Sequence, residues 1–211
     1  MKYQEKFWYP DSEERLHRDH SALWTLDHFI LPHLHATKYC VQAGGAVGAW
    51  PIEFAKTFDE VYTFEPNPVL WKCLQRNLSI YPSENVIAHH AGLWKESGGY
   101  CDMVDTQSEN MGAWHIKLSD DESLPPVVAI DDLDLPGCDL LQLDIEGAEV
   151  AAIEGAKRTI MEYLPVIVVE SKPVTLGNFN KTCEQLYSAV ARLRYKKVQT
   201  FSRDEMWIPI V

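Results

Sequence analysis

The chain alternates between two spacings of apolar residues. Short apolar runs stop at glycine or an acid, and between them apolar residues recur every three or four positions. The first pattern predicts strands and the second amphipathic helices. Residues 39–43, 60–64 and 85–89 read as three strands. Residues 138–145 and 165–169 are nearly continuous apolar runs, as expected of strands buried on both faces. Residues 50–58 read as a helix, with Pro51 early in it. A second helix starts at Asn67-Pro68, with Leu70, Leu74 and Leu78 spaced by four. Residues 147–163 form a third, with Val150, Ile153, Ile160 and Met161 inward, and residues 181–193 a fourth. Residues 195–202 and 205–211 predict a closing antiparallel pair. At the other end, Leu16, Leu23, Leu26, Ile30 and Leu34 predict a helix over 12–35 that stops near Pro32.

Strands alternating with helices imply βαβ units and an α/β fold, a parallel sheet with helices on both faces. No repeat or linker divides the chain. The expected organisation is one domain over residues 1–211, with a helical extension at 1–38 and the core at 39–211. Residues 98–132 are less regular, with three short β-like pieces separated by polar turns.

Composition narrows the class. The 211 residues are 46% hydrophobic and 24% charged, which excludes a disordered tail protein or a collagen-like fibre. The net charge of −12 disfavours nucleic acid and anionic membranes as partners. The five cysteines are odd in number and contain no C-x-x-C pair, which argues against a disulfide framework or a zinc knuckle. No signal peptide and no membrane span are visible, so the expected location is cytoplasmic.

Parallel sheets bind ligands at the carboxyl ends of their strands. The first strand runs into VQAGGAVGAW, a turn of small residues that brings backbone close to a ligand. It lacks the G-x-G-x-x-G and phosphate-loop spacings and fits a G-x-G-x-G frame with Ala46 in the middle place. Glu65 follows Gly44 at about the 20-residue interval where an acid accepts both hydroxyls of a ribose. The carboxylate also repels phosphate, which favours a nucleoside. Asp144, Glu146 and Glu149 cluster after the 138–145 run and Glu170 ends the next, an acidic mouth that favours a cation. Trp8, Tyr9, Trp94 and Trp114 fall in irregular segments and are candidates for stacking on a flat acceptor.

The set VQAGGAVGAW, VYTFEPNP, NVIAHHAGLW, AIDDL and DLLQLDIEGAEVAAIEGA resembles the FkbM-type S-adenosylmethionine-dependent methyltransferases. The resemblance covers roughly residues 39–171. It implies a Rossmann-like seven-stranded methyltransferase fold, mostly parallel with a reversed last strand, and methyl transfer to a hydroxyl. The implied cofactor-binding set is Gln42, Ala43, Gly44, Gly45, Gly48, Glu65, Pro66, Asn67, Ala91 and Gly92, with the Gly44–Gly48 turn holding the methionine part, Glu65 the ribose, and the segment His90-Ala91-Gly92 beside the adenine. Asp144 would lie near the sulfonium. Gln42 and Ala46 stand where the family usually carries an acid and often an asparagine.

Transfer to a hydroxyl requires its proton to be removed. Asp144, Glu146 and Glu170 are the candidate catalytic residues, with His89, His90 and His115 in reserve. Asp144 and Glu170 are also placed to share a magnesium ion, but no third ligand follows Glu170, and the expectation is no metal. The expected partner is a small hydroxyl-bearing acceptor, sugar-like or another small molecule. Two other classes remain open: a non-catalytic nucleoside-binding or scaffold protein and a nicotinamide-dependent oxidoreductase.

Overall fold

The structure, a computed structural model of the chain, describes residues 1–4, 7–11, 26–106 and 111–210. The central sheet contains β1 (Tyr39–Ala43), β2 (Glu60–Phe64), β3 (Val86–His89), β4 (Leu140–Leu143), β5 (Val166–Glu170), β6 (Tyr195–Phe201) and β7 (Asp204–Pro209). Their spatial order is 3-2-1-4-5-7-6. Neighbours from β3 across to β5 pair in parallel, and β7 runs antiparallel to both β5 and β6. The sheet is thus mostly parallel with its last strand reversed. The helices are α1 (Ala49–Phe54), α2 (Pro68–Leu78), α3 (Glu149–Glu154), α4 (Lys157–Tyr163), α5 (Pro173–Gly177) and α6 (Cys183–Ala191). None among the described residues is long and apolar enough to cross a membrane.

Period-two alternation in β4 and β5 feeds two cores. Leu140, Val166 and Val168 pack with Cys40, Phe54, Phe58 and Val61 on one face. Leu141, Leu143, Ile167 and Val169 pack with Ile153, Ile160, Leu186 and Val190 on the other. Every residue of both strands is buried. Each large aliphatic side chain removed from water in this way contributes about 1.5–3 kcal/mol. Local signals set the helix starts. The Asn67 side chain accepts the amides of Val69 and Leu70, with Pro68 in the first turn of α2. Thr182 and Gln185 form a reciprocal capping box at α6.

Three expectations need correction. The helix expected over 147–163 is broken into α3 and α4 at Gly155-Ala156. A β-carbon on Gly155 would lie 2.2 Å from the Trp94 carbonyl oxygen, so the chain bends where the neighbouring backbone crosses it. Asp131 then restarts the helix, its carboxylate accepting the amides of Arg158 and Thr159 at 2.9 and 2.8 Å. The break rotates Met161 outward, to 67% exposure instead of the core. The helix expected over 50–58 ends at Phe54. There the Asn85 side chain donates to the carbonyls of Ala55 and Phe58 and turns the chain toward β2.

The third correction concerns the amino-terminal extension. Residues 12–25 of the expected helix lie outside the described residues. Leu26–Ile30 form one π-helical turn followed by a short 3-10 turn, Leu31–His33. Ahead of them, Lys2–Gln4 and Phe7–Tyr9 pair as an antiparallel hairpin, not a helix. The Asn77 side chain of α2 accepts the Trp8 amide at 2.7 Å and donates to the Trp8 carbonyl at 3.0 Å. Arg76 lies 4.5 Å over the Trp8 ring.

The strand order places the site. From β1 the chain winds through β2 to β3 on one side, and from β4 to β5 on the other. The crevice where these directions part lies at the carboxyl ends of β1 and β4.

Candidate active site

At that crevice β1 and β4 meet almost without side chains between them. The Asp144 amide donates to the Ala43 carbonyl at 3.1 Å. Gly44 has φ +86°, and a β-carbon there would sit 1.9 Å from the Asp144 carbonyl oxygen. Only glycine fits this backbone and this approach. The amides of Gly44 and Gly45 both donate to the Phe64 carbonyl, at 3.1 and 2.9 Å, which ties the turn to the end of β2.

Glu65 completes the tie. Its Oε2 accepts the Ala46 amide and its Oε1 the Asn67 amide, each at 2.7 Å. The carboxylate bridges the glycine turn and the start of α2 while lining the cavity. Burial raises its pKa from 4.5 to about 7, against the lowering effect of the two amides. Each carboxylate oxygen keeps a further lone pair for a ligand hydroxyl.

The cavity holds about 360 Å³, within the range of small-molecule sites. Of the expected residues, it brings together Ala43, Gly44, Gly45, Glu65, Pro66, Ala91, Gly92, Asp144, Glu146 and Glu170. Three others do not line it. Gln42 is fully buried beneath the turn: it donates to the Gly44 carbonyl at 3.0 Å and accepts from the Thr63 hydroxyl. It shapes the turn from below because β1 alternation points it away from the cavity. Gly48 lies behind the turn as the N-cap of α1. Asn67 spends its oxygen capping α2. The reserve histidines also stay outside. His89 stacks on Phe64 at 4.8 Å, His90 on Trp71 at 5.1 Å, and His115 lines a second groove.

The acidic mouth is tighter than its sequence indicates. Asp144, Glu146 and Glu170 offer carboxylate oxygens that all lie within 4.8 Å of one another, a set able to hold a divalent cation. Burial raises the Asp144 pKa well above the ordinary carboxylate value, and Glu170 and Glu146 raise it further. Glu146 is raised by burial and by Glu170. Asp204 is pushed up to about 6, first by burial and then by Glu170. Glu149 is absent from the cavity wall. It is buried, accepts the amides of Ile145 and Gly147 at 3.1 Å each, and so holds the loop after β4 closed.

Lys172 answers this negative charge. Its Nζ lies 3.2 Å from Glu146 and 3.3 Å from Glu170. Sequence reasoning missed it, although a lysine two residues beyond Glu170 was a readable signal. It also missed Arg203 on the β6–β7 turn, Met103 on the strand Tyr100–Val104 and Met111 on the 3-10 turn Met111–Ala113, all of which line the cavity. Tyr9 and Trp114, singled out as irregular aromatics, do line it; Trp8 and Trp94 do not.

The Methyltransferase FkbM domain family matches residues 43–197. The chain belongs to the FkbM methyltransferase family. It is 24% identical over 158 residues to Methyltransferase 1 of the fungus Beauveria bassiana, covering 63% of this chain and 64% of that protein. The chain therefore spans just under two thirds of the curated relative it matches. Among solved structures, it is similar to an FkbM methyltransferase from Methylobacillus flagellatus KT, with TM-score 0.56 and 18% identity over 82% of this chain and 43% of that one. A precorrin-6y C5,15-methyltransferase from Geobacter metallireducens GS-15 also has TM-score 0.56, with 15% identity over 99% of this chain and 96% of that one. At these identities the structural likeness speaks to the fold alone.

Proposed function

We propose that this protein transfers a methyl group from S-adenosylmethionine to a hydroxyl of a small, sugar-like acceptor. The observation that carries this reading is Glu65. A buried carboxylate, tied to the glycine turn and to α2, faces a cavity whose far rim is acidic. A ribose with two free hydroxyls suits that carboxylate, whereas a phosphate would meet repulsion there. The Gly44–Ala46 backbone leaves room for the methionine chain, and Pro66, Ala91 and Gly92 offer a flat, uncharged wall for adenine.

When bound, the cofactor supplies an electrophilic methyl group on a positively charged sulfur. Asp144, Glu146 and Glu170 surround the mouth with negative charge that attracts such a cation. Glu170 has one oxygen paired with Lys172 and the other buried without a partner among the described residues. Asp144, Glu146 and Glu170 together supply the candidate acceptors for the hydroxyl proton. Lys172 holds Glu146 and Glu170 in place. Tyr9 and Trp114 line the cavity and would limit the access of water to it. Because Lys172 already gives two of the three carboxylates a positive partner, the reaction is read as metal-independent. A small-molecule acceptor is favoured over nucleic acid by the net charge of −12.

Titration calorimetry with S-adenosylmethionine and S-adenosylhomocysteine tests the donor, followed by methyl transfer to a panel of hydroxyl-bearing glycosides. Micromolar binding of both donor forms supports the reading. Binding of neither returns the chain to a non-catalytic role. Transfer only after addition of Mg²⁺, lost on chelation, overturns the metal-independent part.

A further inference from the structure

A second groove lies beside the first and carries the opposite charge. It holds about 640 Å³ and shares Ile116 and Ala148 with the acidic cavity. Its floor is aromatic: Phe179 packs against Trp94 with ring centroids 5.5 Å apart and against the His115 ring at 5.9 Å. Around it stand Lys95, Lys117 and Lys181, with Glu154 as the one acid in its wall among the described residues. In a chain of net charge −12 this is a local reversal of sign. Among the described residues Lys95 pairs with Glu96, at 3.7 Å and well exposed. Lys117 stands opposite Asp102 across the strand pair Tyr100–Val104 and His115–Ser119, with no carboxylate oxygen within 4 Å of its ammonium among the described residues, and Lys181 likewise has none.

We propose that this groove binds the anionic end of the methyl acceptor, a carboxylate or phosphate attached to a flat or apolar body. The inference rests on the methyl-transfer reading of the neighbouring cavity and deepens it by naming the acceptor's charge. The two cavities then act together. The acidic mouth repels an anion and tolerates a neutral hydroxyl; the lysine groove does the reverse. An acceptor with one charged and one hydroxyl end is therefore oriented before it reaches the mouth, since the inverted pose meets like charge at both ends. The ring faces of Trp94 and Phe179 supply contact area for the body between the ends. His115 adds a hydrogen-bonding edge, already 3.2 Å from the Asn178 amide nitrogen.

The test uses the full chain saturated with S-adenosylhomocysteine, observed by amide NMR. Phenyl phosphate and benzoate are the anionic probes and benzyl alcohol the neutral control. The expected result is saturable shifts at residues 94–95, 115–118 and 178–181 with at least one anion, and none there with benzyl alcohol. The stronger of the two anions identifies phosphate or carboxylate as the preferred group. Lys117→Glu with Lys181→Glu, one exposed and one partly exposed, should weaken that binding at least tenfold and abolish the weakening that added salt causes in the wild type. Anion shifts that are absent, confined to the acidic cavity, or unchanged by the double substitution overturn the inference. The cofactor reports separately through shifts at residues 44–46 and 65. If those stay silent while the groove responds, the methyl-transfer reading fails and the acceptor role fails with it. If they appear while the groove does not respond, the groove inference fails alone.

Discussion

The floor and the outer wall of the cavity are built by different physics. The floor is backbone. Gly44 lies against the Asp144 carbonyl, two amides converge on Phe64, and Glu65 locks the turn to α2. The outer wall is side chains from remote segments. Tyr9 arrives on an amino-terminal hairpin, Trp114 on a turn before the strand His115–Ser119, and Arg203 on the β6–β7 turn. A backbone floor accepts one ligand shape and tolerates no added atom. A side-chain wall can be rebuilt without disturbing the sheet. Under the proposed reading, the donor side is fixed by the fold and the acceptor side is free to vary.

The most severe way to break the contrast is Gly44→Ala. The new methyl would lie 1.9 Å from backbone oxygen, on a residue with φ +86°, so β1 and β4 must part. The expected cost is about 3 kcal/mol or more of stability from overpacking plus strain. Binding of S-adenosylhomocysteine should fall beyond detection. A melting curve and a titration with wild-type values would show that the floor is softer than described.

Glu65→Gln is the next largest effect. It removes the charge and, because the new amide nitrogen only donates, one of the two bonds from the Ala46 and Asn67 amides as well. Losing a charged hydrogen-bond acceptor for two hydroxyls should cost about 1.5–3 kcal/mol, a ten- to hundred-fold drop in donor affinity. The pH dependence has a definite sign. The folded carboxyl titrates near 7, above its ordinary 4.5, so the folded state holds its proton where the unfolded chain has lost it. Its contribution to stability therefore falls as pH rises from about 4.5 to 7 and levels off above that. Relative to the wild type, Glu65→Gln should melt progressively higher across that window. Donor binding in the wild type should strengthen over the same window, as Glu65 ionises. A parallel pair of melting profiles would refute the assignment.

Lys172→Met sharpens the comparison from the rim. It removes the ammonium that pairs with Glu146 and Glu170 and leaves three carboxylates to a positive sulfur. The ratio of S-adenosylmethionine to S-adenosylhomocysteine affinity should rise severalfold, because only the former carries the charge. The same variant should show Mg²⁺-dependent stabilisation that the wild type lacks. An unchanged ratio would mean that the acids do not face the sulfur.

The same contrast explains what the sequence revealed. The floor was legible because its constraints are local. Gly44 must turn beside a strand end, Glu65 ends the next strand, and Asn67-Pro68 caps a helix, all within one stretch of chain. Gln42 misled because resemblance by position says nothing about which face of a strand a residue takes; alternation sends it under the turn. The break between α3 and α4 was invisible because its cause, the Trp94 carbonyl against Gly155, lies sixty residues upstream. The hairpin at residues 2–9 was equally hidden. Its docking depends on Asn77, which reads as an ordinary helix residue. Lys172 stands two residues beyond Glu170, and only the fold shows that its side chain turns back onto both Glu146 and Glu170.

The mildest prediction probes whether the wall is truly separable from the floor. Trp8→Ala deletes the ring under Arg76 but leaves both Asn77 hydrogen bonds to the residue 8 backbone. A cation–π contact of this exposed kind is worth about 0.5–1 kcal/mol, to which lost apolar contact adds a similar amount. Global stability should drop by about 1–2 kcal/mol at most. Amide exchange at residues 2–4 and 7–9 should quicken while exchange in β1 and β4 stays unchanged. Donor affinity should move by less than about threefold, since the substitution leaves Tyr9 in place and spares both Asn77 bonds to the residue 8 backbone. If donor affinity instead collapses with the hairpin, the wall is transmitting to the floor. The route would be Asn77, whose side chain also donates to the Val47 carbonyl in the glycine turn at 2.6 Å.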